Sequence, residues 1–161
     1  MLEKEKTPHQ RKSPRAVFHD YSKGEYFITI CTKDKEHFFG QIANAQMEFT
    51  EIGSFASKAL SEIPVHHAYA EIPVHVVMPN HIHAIIRIDE QKLMPEKRTA
   101  LGVIIGGYKQ AVTSFARRNN MVFGWQSRYH DHIIRDIHDE KRIAEYIENN
   151  VHSWEKDCFY L

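Results

Sequence analysis

The spacing of apolar and polar residues changes along the chain in a way that predicts seven elements. The run 25–33, EYFITICTK, is rich in β-branched and aromatic residues and reads as a strand. Over 49–64, Ile52, Phe55, Ala56, Ala59, Leu60 and Ile63 recur at helical spacing, and Pro64 ends the run. Residues 70–77 alternate Ile72, Val74 and Val76 against another face. Met78-Pro79-Asn80 reads as a turn, and HIHAIIRI (81–88) as the returning strand. The charged stretch 89–98 reads as loop. Helix 100–118 carries an apolar stripe of Leu101, Ile104, Ile105, Tyr108, Val112 and Phe115. A short strand is expected over 127–135 and a last helix over 137–154, with Ile143, Ala144, Ile147 and Val151 as its stripe. Nothing repeats, and no linker divides the chain.

The order is therefore β-α-β-β-α-β-α. Its first six elements match the split βαβ arrangement, so the expected fold class is α+β, ferredoxin-like. A four-stranded antiparallel sheet would carry helices 49–64 and 100–118 on one face and leave the other open for a site. The expected organisation is a mobile, basic arm over residues 1–20, with Pro8 and Pro14, followed by a single domain over 21–161.

Strand alternation then makes the 81–88 segment chemically interesting. His81, His83, Ile85 and Arg87 share one face, while Ile82, Ala84, Ile86 and Ile88 share the face that should meet the helices. Two imidazoles at i and i+2 can chelate one divalent ion, and Mg²⁺ or Mn²⁺ fits if oxygens complete the shell. A second pair, His130 and His132, repeats the pattern, and periodicity cannot choose between them. On the last helix, Tyr146 and Asn150 fall one turn apart at the edge of the apolar stripe.

Composition narrows the classes. Charged residues make up 26% and hydrophobics 42%, which describes a globular chain. Formal net charge is zero, so bulk charge does not announce a nucleic-acid binder. The balance is uneven, because Lys4, Lys6, Arg11, Lys12 and Arg15 outweigh Glu3 and Glu5 over residues 1–15. Two distant cysteines, Cys31 and Cys158, suit a reducing compartment better than a disulfide framework. No apolar run approaches the ~20 residues of a membrane span, and the first residues lack a signal-peptide core. A cytoplasmic protein without membrane partners is the expectation.

Three segments carry a family resemblance. MPNHIHAII (78–86) resembles the His-hydrophobe-His signature of single-tyrosine HUH transposases, most of all the REP-associated tyrosine transposases and their insertion-sequence relatives. WQSRYHDHIIRD (125–136) is similar to the Trp-Gln-x-Arg-aromatic segment of that family, and EYIENN (145–150) to its Tyr-Ile-x-x-Asn helix. The opening YFITICT is similar to its first strand. The resemblance implies a metal-dependent enzyme that cuts and rejoins single-stranded DNA through a 5′-phosphotyrosine. Tyr146 matches the nucleophile, His81 and His83 the metal-binding histidines, and Asn150 the third ligand. Relatives often follow that asparagine with proline; Val151 stands here, which keeps Asn149 as an alternative. Single-stranded or hairpin DNA is the implied partner, and the chain would act as a monomer or homodimer.

Candidates for DNA contact are Arg87, Lys109, Arg117, Arg118, Trp125, Arg128 and Tyr129. Tyr108, a possible rival nucleophile, lies in the middle of a core stripe. Gly102 and Gly106 read as allowing close helix packing. Two further functions stay open: a single-stranded nucleic-acid-binding module without cleavage, and a replication-initiator or relaxase-like nicking domain.

Overall fold

A computed structural model describes residues 19–92 and 100–160. The basic arm expected at the start, and most of the 89–98 loop, lie outside the described residues. Strand β1 (Gly24–Thr32) is central, with β6 (His81–Ile88) on one side and β7 (Trp125–Ile134) on the other, all antiparallel. Two short strands, β4 (Ala70–Glu71) and β5 (His75–Val77), pair with the outer side of β6. Helices α1 (Glu51–Ser61) and α3 (Ala100–Arg118) pack on one face of this sheet. The order is that of an α+β ferredoxin-like sheet, as the sequence pattern predicts.

The core follows the pleat. Tyr26, Ile28 and Ile30 of β1 and Ile82, Ala84, Ile86 and Ile88 of β6 lie under Ile52, Ala56 and Leu60 of α1 and Leu101, Ile104, Ile105 and Val112 of α3. The two helices meet through stacked rings, Phe55 on Phe115 with centroids 4.2 Å apart. Tyr108 is core, and its hydroxyl donates to the Ala56 carbonyl. That placement removes it as a nucleophile.

Several boundaries differ from the pattern, each for a physical reason. Helix α1 starts at Glu51 because Thr50 caps it, its hydroxyl accepting from the Gly53 amide. Pro64 does not stop the run. The chain turns at Glu62 and begins a one-turn helix α2 (Ile63–His66), with the proline in its first turn, where a missing N–H costs nothing. The strand expected over 70–77 splits at Pro73, which cannot donate to a ladder. The break shifts its phase: Ile72 joins the helix-side core, while Val74 and Val76 face the other way.

The pattern also leaves out a hairpin, β2 (Gly40–Ala43) and β3 (Gln46–Phe49). Its two-residue turn places Asn44 and Ala45 at φ of 51° and 57°, and the alanine hides the usual Asn-Gly signal.

The largest departure concerns the sheet face expected to be open. Helix α4 (Ile137–Glu148), capped by Asp136, lies on it, and Ile143 and Ile147 pack against Ile85 with Phe27, Val74, Val76 and Ile134 around them. The helix ends near Glu148, short of the expected 154, and the chain turns back through a short 3₁₀ segment at Trp154–Lys156.

Glycines make opposite predictions. A Cβ at Gly53 would stand 1.9 Å from the Phe39 carbonyl oxygen, so Gly53→Ala should destabilise by at least about 2 kcal/mol. A Cβ at Gly106 meets nothing within 4 Å, so this glycine does not serve close packing. Gly106→Ala should stabilise by up to about 1 kcal/mol through helix propensity, read by urea denaturation.

Candidate active site

Beneath α4 the two histidines of β6 are fully buried. Burial of an imidazole demands partners, and each Nδ1 has one. Nδ1 of His81 lies 2.9 Å from Oδ1 of Asn80. The Asn80 amide nitrogen donates to the Lys35 and Phe159 carbonyls, so its oxygen can only accept. The His81 proton therefore sits on Nδ1, and Nε2 presents a lone pair. Nδ1 of His83 lies 2.9 Å from the Thr29 hydroxyl. For His81 this is the arrangement by which a neighbouring group fixes the tautomer of a metal-binding histidine.

The Nε2 atoms point into a small acceptor-rich space. Nε2 of His81 is 3.9 Å from Oδ2 of Asp157 and has no hydrogen-bond partner among the described residues. Asn150, also buried, donates its amide to the same Asp157 oxygen at 2.9 Å, and its own Oδ1 is unpartnered. Ligand atoms of His81, His83 and Asp157 all lie within 4.8 Å of one another. A buried lone pair and an orphaned amide oxygen, neither served by a protein donor among the described residues, lie beside the Asp157 carboxylate. Such a set is costly unless a cation joins it. The residues present thus fit a divalent ion, with His81, His83, Asp157 and Asn150 as the groups that could hold it.

Electrostatics agrees. Burial, then the charge of His83, drives His81 down to about 2, opposed by the nearby Asn150 side chain. Burial drives His83 down to about 4, opposed by Asp157 and by a hydrogen bond toward the Ile28 carbonyl. Both rings are neutral at pH 7, the form that binds metal.

Tyr146 stands beside them. It is 43% exposed, and its hydroxyl lies 3.4 Å from Nε2 of His83. Its ring meets Phe27 edge-on. Burial first, and the Asp157 carboxylate next, push the phenol above its usual range, while the nearby Asn150 side chain pulls it down. Unaided, this tyrosine is a poorer nucleophile than most. A cleft of about 400 Å³ opens in front of it, lined by Phe27, Thr29, His83, His132, Arg142 and Phe159 among others.

Of the residues singled out by sequence, His81, His83, Tyr146 and Asn150 come together. Asn149 does not: it is exposed at the end of α4, and its amide donates to the Glu145 carbonyl. His130 and His132 are exposed on β7, outside the buried cluster.

The DNA-contact candidates fare differently. Arg87 is half-buried and paired with both Glu25 and Glu140, which takes it out of reach of a phosphate. Tyr129 is buried in the core. The Trp125 indole donates to the Lys109 carbonyl and packs among Phe39, Phe123 and Tyr108, so neither ring offers a stacking platform. Lys109 donates to the Gln126 carbonyl and lies over the Trp125 ring, a structural role. Arg117 and Arg118 are exposed at the end of α3, on the sheet face opposite the histidines. Arg128 is exposed on the edge strand β7. Asp157 was missed, because the segment around it has no periodicity to reveal where its side chain points.

Similar proteins share this architecture. A REP-associated tyrosine transposase bound to a REP hairpin superposes with a TM-score of 0.63 at 17% identity, covering 92% of this chain and 76% of that one. The likeness is one of fold. An uncharacterized protein of Haemophilus influenzae is 40% identical over 170 residues, covering 95% of this chain and 94% of its own. The chain belongs to the same family as that protein. No protein-family model matches it. Among the described residues no helix is long and apolar enough to cross a membrane.

Two predictions follow from the buried donors. Unfolded histidine titrates near 6.5. Because His81 and His83 titrate lower when folded, the unfolded state binds more protons between about pH 4 and 6.5. Metal-free stability should therefore be level above pH 6.5 and fall as pH drops toward 4. His83→Asn should flatten that fall in urea titrations with chelator present. For the ion itself, Asp157→Ala should lower Mn²⁺ affinity by roughly 10–100-fold in calorimetry, and Asn149→Ala should leave it unchanged.

Proposed function

We propose that this protein is a metal-dependent single-tyrosine transposase that cleaves and rejoins single-stranded DNA, with hairpin-bearing strands as substrate. The observation that carries this is the convergence of His81 Nε2, His83 Nε2, Asn150 Oδ1 and Asp157 beside a half-exposed Tyr146. Nucleic-acid binding alone would not require this set. The fold shared with a hairpin-bound transposase supports the same reading.

His81 and His83, with Asn150 and Asp157, would hold Mg²⁺ or Mn²⁺. A bound ion would supply electrophilic help at the phosphate and charge neutralisation near the leaving oxygen. The rest is the work of the chain. Helix α4 presents the Tyr146 oxygen at the cleft, where the Phe27 ring packs edge-on against the tyrosine and Phe159 lines the same cleft. The Tyr146 oxygen forms a bond to phosphorus as the bond to the 3′-oxygen breaks. The phenol gives up its proton and the 3′-oxygen gains one. One phosphoester replaces another, so the step is close to balanced, and a 3′-hydroxyl can reverse it to transfer the strand. The protein would act in the cytoplasm, as a monomer or homodimer.

The test is incubation of hairpin-bearing single-stranded DNA with Mn²⁺, followed by denaturing electrophoresis and mass spectrometry. A covalent adduct on Tyr146 is expected. Tyr146→Phe should abolish it and shift stability by at most about 1 kcal/mol, since the lost hydroxyl makes one long, half-exposed hydrogen bond. Paired replacement of His81 and His83 by alanine should abolish the adduct too, whereas paired replacement of His130 and His132 should not. Tight strand binding with no adduct from wild-type protein would favour a binding module without cleavage.

A further inference from the structure

The cleft in front of Tyr146 has a second wall that the chemistry above does not use. His132, on the edge strand β7, and Arg142, one helical turn before Tyr146 on α4, both line it. A single carboxylate holds them. Asp139 accepts from Nε2 of His132 at 2.7 Å with one oxygen, and from Arg142 at 2.6 Å with the other. We infer that Arg142, positioned together with His132 on Asp139, seats a backbone phosphate of a single strand, next to the phosphate that faces Tyr146. The inference rests on the transposase reading for the identity of the strand.

A plain surface ion pair is the competing account, and exposure separates the two. The Asp139 side chain is only 18% exposed, while His132 is 53% and Arg142 72% exposed. The anion is tucked beneath and the donors stand outermost. An arginine bound through one N–H keeps the rest of its fork for a phosphate, the group that fork matches best. The two donors come from different elements, yet they meet at the mouth of one cleft. That cleft's other wall is Tyr146 and His83.

Arg87 makes the contrast. It stands on the same sheet face, but Glu25 and Glu140 engage it and leave it half-buried. Lys141 supplies a control. It is exposed on α4, next in sequence to Arg142, and does not line the cleft.

The experiment measures binding of a fluorescent, mixed-sequence single strand to the Tyr146→Phe protein with Mn²⁺, across a salt series. Arg142→Gln should weaken binding several-fold and make the slope of log affinity against log salt shallower by about 0.7, the value of one single-strand phosphate contact. His132→Ala should also weaken binding. Lys141→Gln removes the same charge one residue away and should leave the slope unchanged. Equal slopes for Arg142→Gln and Lys141→Gln would overturn the inference, as would wild-type binding that does not depend on salt. A missing covalent adduct with Tyr146 intact would sink the transposase reading. The slope difference would then still decide whether this wall holds a phosphate.

Discussion

Everything at the site depends on β6 being covered on both faces. Residues 81–86 are buried without exception, so the period-two alternation of the strand divides two layers rather than a core from solvent. Ile82, Ala84 and Ile86 go under α1 and α3. His81, His83 and Ile85 go under α4 and the returning C-terminal segment. Burying two imidazoles would be ruinous without partners. Asn80 and Thr29 serve the Nδ1 atoms, which leaves the Nε2 atoms facing Asp157 and Tyr146. The same burial that keeps both rings neutral makes them ready ligands.

Helix α4 is therefore both a lid and a carrier. Ile143 and Ile147 seat it on Ile85, and the Glu140–Arg87–Glu25 chain ties its first turns to β6 and β1. These contacts set the rotation of the helix, which brings Tyr146, and Asn150 just past the helix end, to the histidines. Arg87 thus matters to the site through the position of α4 rather than through any contact of its own with a ligand. Asn150 links the pieces: it hydrogen-bonds Asp157 and also acts on His81 and Tyr146.

The pattern of apolar residues carried most of the fold, because long stripes and alternations report what is buried. It was enough to order the strands and to put His81 and His83 opposite α1 and α3. It misread the face above the histidines. The stripe of Ile143 and Ile147 says that α4 must dock, but nothing local says that it docks on this face. Pro73 and Pro64 were visible, yet their effects depend on whether a ladder partner or a following turn is present. Asn80 could be read only as a turn residue, since its second role, holding His81, spans a contact that no spacing encodes. Asp157 was illegible for the same reason. Trp125 and Tyr129 show the opposite error, in which aromatic residues read as a ligand surface turn out to be packing.

Zero net charge argues against a strong general attraction to nucleic acid, but the sum conceals an arrangement. Several cations are spent on the fold: Arg87 on two glutamates, Lys109 on a carbonyl and an indole. Where the cleft opens, the order is reversed. Asp139 lies inside, and Arg142 and His132 lie outside it. A neutral surface with a locally exposed donor pair would not hold a strand by bulk field. It would hold one backbone at one place, next to the tyrosine. The exposed donor and the tyrosine line one cleft, so geometry rather than net charge would set which strand the proposed site accepts.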